Sequence, residues 1–282
     1  MKFNQSASYY YLVSGLPDLQ KDESKGLSSL DESLSEILPQ LSNEDVSLMQ
    51  LVFSHYDNLN FLSYLQNKET SLDNNGFLKK NDWDELVNLM TEDENPRDKR
   101  LLPYFFDYFK LTQLEDDFLK GVEPIDYLSG LFYSYGMNSE NQFVRSWFEF
   151  NLNLNNLLTA IYCRKHRINQ DKYIVGDTEV SNILRTSNAR DYGVGVLFDY
   201  TEEVIKLSDE QDMLDREKKI DALKWNWLEE NTFFNYFTIE KVIVYCLKIE
   251  ILNRWKMLSF ETGSAIFRDL LYSMKKEINI NA

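Results

Sequence analysis

The stretch that decides the fold class is TIEKVIVYCLKIEILNRWKML, residues 238–258. Its apolar residues recur every three to four positions, which is the period of an α-helix. These apolar residues lie on nearly every side of the helix. They are Val242, Tyr245, Cys246, Ile249, Leu252 and Trp255. A helix that is apolar on most of its circumference is buried on more than one side. The stretch therefore predicts a central core helix that begins near Thr238.

The same stretch does not predict a membrane span. A span needs about 18 consecutive apolar residues with few charges, and this one contains Glu240, Lys241, Lys248, Glu250, Arg254 and Lys256. Near the N-terminus the longest apolar run is the five residues Tyr9–Val13, whereas a secretory signal has a run of roughly 7–15. We therefore expect a cytoplasmic protein that does not insert directly into a membrane.

Composition favours helices over the rest of the chain as well. The 282 residues include 5 prolines and 10 glycines, against about 14 and about 20 at average usage. Short strands joined by many turns need more of both residues, which disfavours sandwiches and barrels. We predict an all-α, multi-helix fold with little or no strand. The segment KYIVG, residues 172–176, is either a short strand or an extended loop.

Charge and proline content divide the chain into two parts. The net charge is −16, and residues 1–140 hold −14 of it, while all five prolines lie before residue 125. We predict an acidic N-terminal helical region over 1–95 and a C-terminal helical region over 96–282, with one continuous domain as the alternative. The acidity argues against nucleic-acid binding and against docking on anionic lipid, since both need a basic surface.

No motif for catalysis, a cofactor or a metal ion is recognisable. His55 and His166 are the only histidines and have no ligand partners at short spacing. No G-x-x-x-x-G-K-[ST] phosphate loop occurs, and the two cysteines, Cys163 and Cys246, are expected to be reduced core residues. We predict no catalytic, cofactor or metal site. The alternative is a helical enzyme that uses scattered carboxylates, namely Asp116, Asp117, Glu202 and Glu203.

Two local patterns could mark residues that contact a partner as well as residues that stabilise the fold. The run Arg164–Arg167 closes a long helix, where cations favour the negative end of the helix dipole; an acidic partner is the other interpretation. Trp225 and Trp227 are two residues apart, so they cannot share one helical stripe. We predict that one of them is a core residue and the other an interface residue.

Two predicted helices share a short repeat. NLLTAIYCRK, residues 156–165, and IEKVIVYCLK, residues 239–248, both end in Tyr-Cys-x-Lys. The second of them continues into Lys-x-Glu and then Asn-Arg. This pattern resembles the final helices of the C subunit of V/A-type rotary ATPases, called subunit d in eukaryotes. We call the residues that carry it the family-like residues: Tyr245, Lys248, Glu250, Asn253, Arg254, Tyr162 and Lys165.

A second resemblance lies near the N-terminus. The segment YYYLVSGLPDL, residues 9–19, is similar to an uncharacterised bacterial family encoded among V-type ATP synthase genes. The two resemblances imply a three-lobed repeat of helical bundles, without enzyme activity or cofactor. They imply a central-stalk coupler whose partners are the central shaft and the membrane rotor ring, peripheral to the inner membrane through that complex. Gly15 and Pro17 depart from the C subunit, because they interrupt its long first helix. A free-standing helical adaptor is the alternative.

Overall fold

The computed structural model describes residues 8–21, 26–67, 70–114 and 122–258. Over these residues the chain is helical, with no strand, which confirms the predicted all-α class. Lys172 ends a short 3-10 helix, Gln170–Lys172, and residues 173–176 form a loop rather than a strand. The three-lobed repeat stays a prediction.

Eleven α-helices make up the described part of the chain. They are α1 Tyr10–Gly15, α2 Leu30–Ile37, α3 Asn43–Gln66, α4 Lys80–Glu92, α5 Pro103–Leu114, α6 Pro124–Met137, α7 Gln142–His166, α8 Glu179–Thr186, α9 Thr201–Ser208, α10 Met213–Asn231 and α11 Ile239–Met257.

Short polar side chains start several of these helices. Ser29 and Glu32 form a reciprocal capping box at the start of α2. The Ser42 hydroxyl accepts a hydrogen bond from the backbone N–H of Asp45 at the start of α3. Each cap satisfies a backbone donor that has no partner inside the helix. Local sequence therefore fixes where these helices begin.

Prolines and one glycine limit the N-terminal helices. The helix α1 has six residues and ends at Gly15, after which Leu16 is extended and Pro17 follows. This agrees with the predicted interruption of a long first helix. Pro103 and Pro124 stand at the first positions of α5 and α6, where proline lacks only an N–H that would be unpaired in any case.

The chain divides into two compact units. The first combines residues 1–41 with 211–282, and the second is residues 42–210. The helices α1, α2, α10 and α11 belong to the first unit, and α3 to α9 belong to the second. The predicted regions 1–95 and 96–282 rested on charge and prolines and stay a prediction.

The helix α11 forms the core of the first unit. Val242, Cys246, Ile249 and Leu252 have no exposed surface, and α11 packs against both α2 and α10. This confirms that the helix beginning after Thr238 is buried on more than one side. Cys246 is a free, buried thiol, and burial raises its pKa well above its usual range, so it stays protonated.

Aromatic rings fill the core of the second unit where α3, α4 and α5 meet. The ring of Phe61 stacks on Trp83 at 5.0 Å between centroids, and Phe105 meets both rings edge-on. Aromatic pairs in these arrangements stabilise a fold by about 0.5–1.5 kcal/mol beyond the area they bury. The second unit therefore has a hydrophobic core of its own.

Candidate functional site

The family-like residue Lys248 joins α11 to α10. Its ammonium group donates to the Glu229 carboxylate at 2.8 Å and lies 4.4 Å from the centre of the Trp225 ring. The indole N–H of Trp225 donates to the same carboxylate at 2.8 Å. Burial raises the pKa of Glu229, but these two hydrogen bonds and the charges of Lys248 and Lys21 together lower it below its ordinary value. One carboxylate thus fixes two helices.

Arg254 makes the second connection between these helices. Its guanidinium donates to Asp221 at 2.6 Å and also to Glu217, both on α10. The Asp221 side chain is buried and accepts a further hydrogen bond from the indole N–H of Trp255 at 2.9 Å. Burial raises the pKa of Asp221, while the charge of Arg254 opposes that rise. The Asp221 carboxylate depends on Arg254 for its compensating charge.

Three further family-like residues lie on α11, and they are Tyr245, Glu250 and Asn253. Tyr245 is half-buried, and burial raises the pKa of its phenol. Asn253 donates to the backbone oxygen of Ser28 at 3.5 Å, which ties the segment before α2 to α11. Glu250 is half-buried. Together with Lys248 and Arg254, these residues lie within the first unit, and the two cations bind α10 there.

Tyr162 and Lys165 lie in the second unit, at the end of α7. Tyr162 is exposed and packs against His166, with 4.3 Å between ring centres, and Lys165 is exposed. The neighbouring Arg164 donates to the backbone oxygens of Ala189 and Ser187. The structure therefore divides the family-like residues between two units, five in the first and two in the second.

The prediction about the tryptophan pair was wrong. Trp225 and Trp227 are both buried, although they point to different sides of α10. Because Lys248 covers the ring of Trp225 and Glu229 accepts its N–H, that side of α10 faces α11. Burial of Trp227 shows that a second side of α10 is covered as well.

The carboxylates of the enzyme alternative do not form a described site. Asp116 and Asp117 lie outside the described residues. Glu202 and Glu203 are exposed in the first turn of α9, where carboxylates favour the positive end of the helix dipole. Their position is explained by helix formation alone.

The second unit also contains an open cavity of about 570 Å³, between α6 and the loop 171–178. Its charged lining residues are Asp126, Asp171, Lys172, Asp177 and Arg185. Arg185 donates to the backbone oxygens of Ile174, at 3.1 Å, and Gly176. The guanidinium therefore supports the backbone that forms one wall of the cavity.

A buried carboxylate organises the loop before α4. Asp57 accepts hydrogen bonds from the backbone N–H groups of Phe77 and Leu78 at 3.1 and 3.0 Å. A Cβ on Gly76 would lie 2.8 Å from the Asp57 carboxylate and 2.4 Å from the Asn60 amide nitrogen, so only glycine fits there. Burial raises the pKa of Asp57 to about 6, although the two N–H donors lower it.

We expect Asp57 to make the protein less stable as the pH rises from 4 to 7. A carboxyl group whose pKa is higher in the folded than in the unfolded state binds its proton more tightly on folding. Its contribution is complete below its unfolded pKa, about 3.9, and is lost as the pH passes about 6. The loss is on the order of 2–3 kcal/mol at 1.36 kcal/mol per pKa unit. Urea unfolding at several pH values measures it.

The control for this prediction is Asp57→Asn, which cannot titrate. Subtracting its pH profile from that of the wild type removes the contribution of every other carboxylate. A difference that stays constant between pH 4 and pH 7 would contradict the predicted role of Asp57.

An exposed group of aromatic side chains was missed by the sequence reasoning. In the first unit Tyr10, Tyr11, Phe233, Phe234 and Tyr236 are 57%, 98%, 66%, 83% and 61% exposed; we call these five residues the aromatic surface. The signal was present, because residues 8–17 and 231–239 contain no charged residue in a chain that is 27% charged. Helical periodicity does not reveal it, since most of these residues lie in a loop or a very short helix.

Two structural features are absent from the residues that the structure describes. Each helix in residues 8–258, apart from the gaps noted above, is too short or too polar to cross a membrane. The same residues hold no group of three or more His, Cys, Asp or Glu side chains positioned for a metal ion.

Comparison with known proteins gives one match. A family model described as "Protein of unknown function (DUF2764)" matches residues 6–278, nearly the whole chain. No curated protein and no solved structure matches the chain. The match shows the family and names no activity.

Proposed function

The chain belongs to this DUF2764 family, and we propose, from the residues that resemble ATPase subunits, that it is a non-catalytic subunit of a V-type rotary ATPase. Its role is that of a C/d-like coupler between the central shaft and the membrane rotor ring. It works in the cytoplasm, peripheral to the inner membrane through the complex. The resemblances of residues 9–19 and 238–258 to proteins of such complexes support assigning the chain to a V-type ATPase.

The observation that carries this proposal is the joining of α10 to α11. A coupler transmits force between two partners, which needs helices that do not slide past one another. Lys248 and Arg254, two of the residues that carry the resemblance, each bind carboxylates of α10. Lys248 and Arg254 thus stiffen the first unit by joining its two helices, and this role requires no catalysed reaction.

Charge also supports binding to a partner. The net charge of −16 lies mostly in residues 1–140, and a basic surface on a shaft or ring subunit complements it. Such complementarity mainly sets the association rate and the register of a complex. Exposed charges are screened over about 8 Å at physiological salt, so we expect association to slow as salt increases.

The test is purification of the tagged full-length chain from native membranes in a mild detergent. We expect the shaft and ring subunits to co-purify and to be identified by mass spectrometry, and the same tag on an unrelated acidic protein is the control. Normal assembly and ion pumping by the V-type ATPase after deletion of the gene would overturn the proposal in favour of a free-standing adaptor. Nucleotide hydrolysis by the pure chain that Asp116→Asn with Asp117→Asn abolishes would favour the enzyme.

A further inference from the structure

The aromatic surface is built from two segments that are joined within the first unit. The backbone N–H of Tyr9 donates to the oxygen of Phe237 at 2.7 Å. The rings of Tyr10 and Phe237 lie 4.5 Å apart. In the loop, Phe233 and Phe234 pack edge to face at 5.0 Å. The folded first unit therefore holds the two segments side by side, so binding does not have to bring them together.

The exposed area matches one half of a stable dimer interface. An aromatic side chain offers roughly 150–250 Å², so the five side chains at their observed exposures present about 700 Å² on one chain and about 1,400 Å² on two. A specific, stable interface buries about 1,200–2,000 Å² in total, whereas the largest apolar patch of a typical monomer is about 300–600 Å². The surface is thus larger than a lone chain usually exposes, and two copies of it suffice for a dimer.

The chemistry of the surface suits contact with a copy of itself. In a two-fold pair each patch meets the same patch of the other copy, so a charge near the axis would face a like charge. The segments 8–17 and 231–239 contain no charged residue. Aromatic rings, by contrast, pack favourably on other rings, as Phe233 and Phe234 do within one chain. Interfaces between identical subunits are also more apolar than other interfaces.

The charges of the chain do not oppose such a pair. The first unit, which carries the aromatic surface, has a net charge of only −3, while the second unit has −13. At the edge of the surface the Glu229 carboxylate is bound by Lys248 and Trp225. Glu230 and Glu240 also interact within the chain. The surface therefore lies on the nearly neutral unit, and the carboxylates beside it already have partners.

We infer that two copies of this chain form a symmetric dimer through their aromatic surfaces. The stabilisation comes from removing aromatic side chains from water on both copies, and no pairing of charges between the copies is required. This inference goes beyond the proposed function and does not rest on it, because the purified chain alone forms the dimer.

The test is sedimentation equilibrium of the purified full-length chain over a series of concentrations. Interfaces of this size have dissociation constants from micromolar to picomolar, so at tens of micromolar we expect twice the mass of one chain. The dimer should persist at about 1 M salt, where exposed charges are screened beyond about 3 Å, because apolar contacts hold it together.

Two variants locate the contact on the aromatic surface. Phe234→Ser and Tyr11→Ser should each raise the dissociation constant at least about 30-fold, which corresponds to the roughly 2 kcal/mol lost at an interface hot spot. Both side chains are largely exposed, so the far-ultraviolet circular dichroism spectrum should stay unchanged. Tyr162→Ser and Val196→Ser change exposed residues of the second unit. They are the matched controls and should leave the dissociation constant unchanged.

A dimer that either variant weakens, and that neither control affects, supports the inference. Four results overturn it: a chain that stays monomeric at tens of micromolar, a dimer that dissociates as salt increases, a dimer that both variants leave unchanged, and assemblies larger than two. A monomer that binds vesicles of zwitterionic lipid through Phe234 also overturns it and assigns the surface to a membrane.

Purification from native membranes decides the proposed function separately. Shaft and ring subunits recovered with a chain that is monomeric when pure leave the ATPase role standing and overturn the dimer. A dimer that Phe234→Ser weakens, in a chain that brings down no ATPase subunit, supports this inference and overturns the ATPase role.

Discussion

Ile249→Asp is expected to unfold the first unit under conditions in which the wild type is folded. Ile249 has no exposed surface and lies on α11 among the fully buried Cys246 and Leu252. A carboxylate at this position would be buried among apolar side chains, and its desolvation costs several kcal/mol. That is a large share of a typical total stability of about 5–15 kcal/mol. Urea unfolding followed by tryptophan fluorescence measures the loss.

The matched control is Ile249→Val, which removes one methylene group and is expected to lower the unfolding free energy by about 1 kcal/mol. The control separates the charge from a simple loss of packing at the same site. An Ile249→Asp protein that melts within a degree or two of the wild type would contradict the placement of α11 in the core.

Arg254→Met is expected to lower the unfolding free energy by about 3 kcal/mol, as when one partner of a buried ion pair is removed. The Asp221 side chain is 2% exposed, and without Arg254 its carboxylate loses its largest compensating charge and retains the hydrogen bond from Trp255 and the nearby charge of Lys224. The loss should shrink as the pH falls toward 5. In the variant the folded state binds a proton at Asp221 more tightly than the unfolded state does, which restores stability at low pH.

Two further variants test this explanation. Glu217→Gln removes the more exposed partner of Arg254 and should cost less than about 1 kcal/mol, as exposed ion pairs do. Adding Asp221→Asn to Arg254→Met should recover most of the loss, because no buried charge then remains. The explanation fails if Arg254→Met costs no more than Glu217→Gln, or if the double variant is as unstable as the single one.

Much of the fold could be predicted from local patterns. The apolar circumference of residues 238–258 correctly indicated a core helix, and the capping side chain of Ser42 lies at the start of α3. Both signals act within a few residues, since helix periodicity and capping are properties of one segment of chain. The low proline and glycine content correctly indicated the all-α class.

The pairing of helices could not be predicted in the same way. Lys248 binds Glu229 and Arg254 binds Glu217, across 19 and 37 residues of sequence. Many other carboxylates were available to these cations, and only the packing of α11 on α10 selects among them. The wrong prediction about Trp225 and Trp227 has the same cause, because the sequence of α10 does not determine how many of its sides other parts of the chain cover.

The aromatic surface was missed for a different reason. In the sequence, the N-terminal tyrosines stand out only as part of a short apolar run and of a family resemblance. The loop residues Phe233 and Phe234 belong to no helix, so a search for helical stripes passes over them. Exposure is decided by where the folded unit ends, and only the structure provides that information.

The first unit is formed from two segments that are far apart in the sequence, and this affects how it folds during synthesis. The buried face of α2, formed by Leu30, Leu34 and Ile37, packs on α11, about 200 residues later in the chain. At the usual translation rate of about 5–20 residues per second, α2 waits roughly 10–40 s for that partner to be synthesised. Eight residues do not form a stable helix alone. These apolar residues are therefore without their partner helix while the whole second unit is synthesised, and the first unit can fold only after α11 has been made.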